Sequence, residues 1–99
     1  MGKYYTEVCR DIVRHFGKQH QIQKAIEELN ELSVALAKYS NLPCGDYIRN
    51  VTEEMADVEI MLEQLKVIFN NKNMVMRVRD YKLKRTLKRY AIKAVRRDG

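Results

Sequence analysis

Apolar residues recur in this chain every three or four positions, and the recurrence is interrupted at only three places: Gly17, residues 41–45 and residues 70–73. Such spacing marks one face of an α-helix. Only four glycines and one proline stand among the 99 residues, so the chain has little else with which to turn or to build tight loops. Apolar residues at 45% and charged residues at 32% argue against disorder. The expectation is an all-α protein, a bundle of about four helices forming one domain over residues 1–99.

The first helix is expected over residues 5–16, with Tyr5, Cys9, Ile12, Val13 and Phe16 on its apolar stripe and Gly17 as its stop. A second spans 21–39, where Ile22, Ala25, Ile26, Leu29, Leu32, Ser33 and Leu36 share a face. Asn41, Pro43, Cys44 and Gly45 end it, and residues 40–50 read as a flexible connection. The third, 51–69, carries Val51, Met55, Val58, Met61, Leu62, Leu65 and Phe69. A basic fourth segment, 74–97, has a weaker face of Leu83, Leu87, Tyr90, Ala91 and Ala94, and its crowded start from Met74 to Val78 fits a short strand or a separate helical turn. Phe16 and Phe69 read as core residues at helix ends.

Val34, Ala35, Ile60 and Val67 lie off these principal stripes. They predict a second buried face on the central helices, covered by another subunit. A helical domain this small has a thin core and gains from association. At least a homodimer, or a homotetramer, is expected.

The net charge of +6 is unevenly distributed. Residues 1–71 carry eight Lys or Arg against eleven Asp or Glu, whereas residues 72–99 carry eleven against two. A basic tail of this kind meets nucleic acid, ligand phosphates or an acidic protein face. Cys9 and Cys44 form no CxxC pair, which leaves zinc-ribbon and thioredoxin-like chemistry unsupported. No apolar run approaches the roughly 20 residues that cross a bilayer. With no signal peptide in view, a soluble protein of the reducing cytoplasm is expected.

Two acidic clusters, Glu27-Glu28-Leu29-Asn30-Glu31 and Glu53-Glu54-Met55-Ala56-Asp57, sit inside the second and third periodic segments. On helices, Glu28 with Glu31 and Glu54 with Asp57 become i,i+3 carboxylate pairs. Face to face they make an oxygen-rich cage suited to Mg²⁺, with Mn²⁺ as an alternative, since no His or Cys falls at the matching spacing. Solvated acids on a charged helix are the plain alternative. At about 100° per residue, Glu54 lies only about 40° from Val58, inside the apolar sector, where a carboxylate needs a compensating cation. Glu31 points nearly opposite Leu29, so two helices of one chain are not expected to gather all four acids neatly.

The pattern Glu27-Glu28-x-x-Glu31 followed after a loop by Glu54-x-x-Asp57 resembles the paired signature of the MazG-like all-alpha nucleoside triphosphate pyrophosphohydrolases. Residues 23–29 and 53–61 look like that family's two central helices, and the similarity extends over roughly residues 17–90. The resemblance implies a Mg²⁺ site of Glu28, Glu31, Glu54 and Asp57. It also implies that Glu27, Glu28 or Glu31 orients or deprotonates water. The implied activity cleaves a nucleoside or deoxynucleoside triphosphate to monophosphate and pyrophosphate. Residues 81–89 resemble the basic helix that follows the second motif, which makes Lys82, Arg85 and Arg89 the implied phosphate contacts.

The competing expectation is a noncatalytic helical protein whose basic end, with Tyr81 and Tyr90 interspersed, contacts nucleic acid or another partner. Asn70, Asn71 and Asn73 read first as turn residues and second as contacts to a base or sugar. His20 and Gln21, just before the first acidic cluster, are candidates for the rim of a substrate pocket, and Tyr39 or Tyr47 for cover over a base.

Overall fold

The structure, a computed structural model, describes residues 2–93. Four helices follow one another: α1 (Gly2–Phe16), α2 (Lys18–Asn41), α3 (Gly45–Phe69) and α4 (Lys72–Arg89). The all-α, four-helix expectation is met, and the start of the fourth segment is continuous helix rather than strand. None of these helices is long and apolar enough to cross a membrane.

The breaks are shorter than the turn residues suggested. Helix α2 runs on through Ser40 and Asn41, and α3 begins at Gly45, so the flexible connection expected over 40–50 reduces to Leu42, Pro43 and Cys44. Proline forces extended backbone on the residue before it, and Leu42 accordingly sits at φ −143°, ψ 86°. Cys44 remains extended as the residue before α3. One proline therefore suffices, and Tyr47 and Ile48 are free to extend the third helix toward its N-terminus. At the other end, α4 stops at Arg89 instead of continuing toward residue 97. Ala91 takes φ 50°, and the Ile92 and Ala91 N–H groups donate to Leu87 and Lys88 O, a capping pattern that closes a helix. Ala94 and the rest of the expected segment to 97 lie outside the described residues.

Helices α2 and α3 form an antiparallel hairpin. Gln21 near the start of α2 meets Gln64 near the end of α3 at 2.7 Å, while Ala35 shares a cleft with Asn50 and Glu54. Helix α1 lies against α3, with Cys9 and Val13 buried and the Cys9 thiol 4.0 Å from Ile60 O. Helix α4 buries no residue; it touches α3 but not α2.

The two central helices meet on an unexpected face. The inward seam of α2 is Gln21, Ala25, Glu28 and Ala35, all buried, with Leu32 and Tyr39 half-buried. The wider apolar stripe, one residue further along, is left outside: Ile26, Leu29 and Leu36 are 45 to 49% exposed. In α3, Val58 and Met61 are buried while Ile48, Met55, Leu62 and Phe69, seven residues apart in succession, stay open. Of the residues assigned to a subunit-facing second face, Ala35 is instead interior, Val67 is half-buried, and Val34 and Ile60 are exposed. Small and polar side chains let α2 and α3 approach, so the bulky stripes turn outward. The radius of gyration is 16.6 Å, against about 13 Å for a compact chain of this length, in keeping with a fourth helix that buries no residue.

Candidate metal centre

Because Glu28 belongs to the inward seam of α2 and Glu54 to that of α3, hairpin formation drives their carboxylates together. One oxygen each from Glu28, Glu54 and Asp57 lies within 4.8 Å of the others. Glu28 is buried, Glu54 half-buried and Asp57 exposed, so the group opens to solvent on one side. Glu28 Oε1 accepts from Lys24 Nζ at 3.2 Å. Its Oε2, and Oε2 of Glu54, are shut off from solvent without a hydrogen-bond partner.

Carboxylates gathered this closely, with an orphaned oxygen on both Glu28 and Glu54, are unfavourable unless a proton or a cation joins them. Burial pushes the Glu54 carboxyl above its ordinary value, and the charges of Glu31, Asp57 and Glu28 push the same way. A hydrogen bond shared with Glu31 also favours the protonated form. An all-oxygen donor set with exposed space beside it fits a hard divalent cation such as Mg²⁺, which keeps water among its ligands.

Of the four acids expected to gather, Glu31 stays outside the close group while remaining near enough to act on Glu54. Glu27 is exposed and lies 3.9 Å from Lys24. Among the described residues Lys82, Arg85 and Arg89 form no ion pair with these acids, and α4 does not touch α2; Arg85 sits over the Tyr81 ring at 5.8 Å.

Three residues that sequence reasoning passed over stand beside the carboxylates. A cleft of about 300 Å³ places Lys38 and Asn50 with Glu31 and Glu54, and Lys24 flanks Glu28. Lys24 precedes Glu28 by one helical turn, Lys38 follows Glu31 by two, and Asn50 precedes Glu54 by one, but such spacing gains meaning only once the two helices are paired. A second cleft, of about 470 Å³, joins Lys24 and Glu27 to Phe16 and His20. Phe16, expected in the core, is instead 51% exposed and stacks on the His20 ring at 5.2 Å. The His20–Gln21 pair, 2.6 Å apart, lines this cleft.

Comparison with protein-family models, curated proteins and solved structures finds no match for this chain.

Proposed function

We propose that this chain is a Mg²⁺-dependent hydrolase that cuts a nucleoside or deoxynucleoside triphosphate into monophosphate and pyrophosphate, on a MazG-like bundle completed by further copies of the chain. The observation that carries the reading is the pair of solvent-inaccessible, unpartnered oxygens of Glu28 and Glu54 beside Asp57. When bound, Mg²⁺ or Mn²⁺ neutralises phosphate oxygens and acidifies water. Glu28, Glu54 and Asp57 would hold it, with Glu31 at the edge of the set.

Exposed and adjacent to the close group, Glu31 accepts the proton of the water that attacks the alpha phosphorus, and Glu27 is the nearby second acid. As the new O–P bond forms, the bond from the alpha phosphorus to its bridging oxygen breaks and pyrophosphate departs. Lys24 and Lys38 offset the charge that collects on the leaving group. Lys82, Arg85 and Arg89 reach the phosphates from a second copy of the chain. Phe16 and His20 offer the base an aromatic face beside the acids.

Substitution tests the reading directly. Glu54→Gln and Asp57→Asn should each lower Mg²⁺-dependent turnover at least a hundredfold with an unchanged helical circular dichroism signal; full activity in both would reject the site. Phe16→Ala should raise KM while leaving kcat within about threefold, measured across a panel of triphosphates. The nucleic-acid reading would gain if wild type and Glu54→Gln bound an oligonucleotide equally tightly, with steep salt dependence, and neither hydrolysed any triphosphate.

A further inference from the structure

A further cleft lies away from the acid cluster. About 650 Å³ in volume, it is framed by α1, the end of α3 and the start of α4. Nine residues separate Glu63, in its wall, from Glu54, which at about 100° and 1.5 Å per residue puts them on opposite sides of α3 and about 13 Å apart along its axis.

Four cations line this cleft: Arg10, Lys66, Lys72 and Arg77. Lys72 Nζ lies 3.5 Å from Glu63 Oε1 and donates to Thr6 Oγ1 at 3.2 Å. Among the described residues, no carboxylate pairs with Arg10, Lys66 or Arg77. The 18-residue helix α4 begins here without a side-chain cap and without an acid in its first turn. Its leading N–H groups, at residues that line the cleft, therefore add partial positive charge. Against this field stands a single carboxylate. Glu63 is 5% exposed, and its Oε2 has no hydrogen-bond partner.

An anion alone would satisfy the cations and worsen the position of Glu63. A ligand that joins an anionic group to a hydrogen-bond donor satisfies both, because the orphaned oxygen can only accept. Asn71 and Asn73, also in the lining, offer amides that donate and accept. We propose that this cleft binds a small phosphomonoester whose other end presents N–H or O–H donors to Glu63, at a site separate from the acid cluster and independent of the hydrolase reading.

The test is amide NMR on the full-length ¹⁵N-labelled chain with chelator present, titrated in turn with guanosine 5′-monophosphate, which carries both features, and with inorganic phosphate. The nucleotide should saturably shift the amides of Lys66 and of residues 71–74, and Arg77→Ala, at an exposed position, should weaken it at least fivefold. Glu63→Gln should weaken the nucleotide at least fivefold while leaving inorganic phosphate as tight or tighter. Shifts confined to residues 24–31 and 54–57, an unchanged affinity in Arg77→Ala, or equal loss of both probes in Glu63→Gln would overturn the proposal. Absence of triphosphate turnover would bear on the acid cluster alone.

Discussion

Glu54 concentrates the chemistry of the acid cluster in one side chain. Its carboxyl protonates more readily in the folded chain than in the unfolded one, because of burial and then the neighbouring charges of Glu31, Asp57 and Glu28. The native state thus binds more protons than the unfolded state between the two pKa values, and the stability this group contributes falls as pH rises through that interval. Without divalent cations, Glu54→Gln should melt at a higher temperature than wild type at pH 7, and the difference should shrink as pH drops through the ordinary carboxylate range. Saturating Mg²⁺ should raise the wild-type melting temperature and leave the variant nearly unmoved. Differential scanning calorimetry over pH, with and without Mg²⁺, checks both signs. The position of Glu54 near the apolar sector was legible from its angle to Val58, whereas Lys24, Lys38 and Asn50 were not singled out because a lone basic or amide residue on a helix carries no signal until a partner helix is placed. Cysteine chemistry separates in the same manner. Burial, followed by the charge of Glu63, raises the Cys9 thiol, and Cys44 is less buried. A disulfide reagent at neutral pH should therefore modify Cys44 in the native chain and Cys9 only on unfolding, as mass spectrometry would report.

Among the helices, periodicity revealed which segments exist and failed at their junctions. Asn41, Gly45 and Asn50 looked like loop because each favours turns, but the lone Pro43 makes the break and the flanking residues propagate helix from either side. The other junction rests on Gly17, whose φ of 94° and ψ of 151° belong to a region essentially reserved for glycine. A Cβ there would meet no neighbouring atom, so the penalty of Gly17→Ala is backbone strain, about 1–3 kcal/mol, measurable by urea denaturation. The face by which α2 packs was misjudged by one residue. Ala25 and Leu32 lie inside as expected, but hydropathy ranks Ile26, Leu29 and Leu36 above Glu28 and Ala35, and it ignores both the close approach that small residues permit and carboxylates needed in the seam.

In the whole molecule, that one-residue offset leaves Ile26, Leu29 and Leu36 of α2, and Met55 and Leu62 of α3, facing outward. An uncovered apolar surface of this kind on a small helical chain calls for a partner. At least a dimer is expected, with Lys82, Arg85 and Arg89 of one copy serving the acids of another. Leu62→Glu should shift sedimentation to a monomer and lower turnover at least tenfold, because Leu62 is 45% exposed and lies apart from the carboxylates. In the proposed reaction, carboxylates from α2 and α3 hold a divalent cation for cleavage at the alpha phosphorus. Phosphorus NMR of a triphosphate panel incubated with the purified chain in H₂¹⁸O, with Mg²⁺ and with chelator, measures it most directly. Mg²⁺-dependent pyrophosphate and a monophosphate carrying ¹⁸O are the expected products. No Mg²⁺-dependent turnover of any triphosphate, or release of orthophosphate and diphosphate instead, would contradict it.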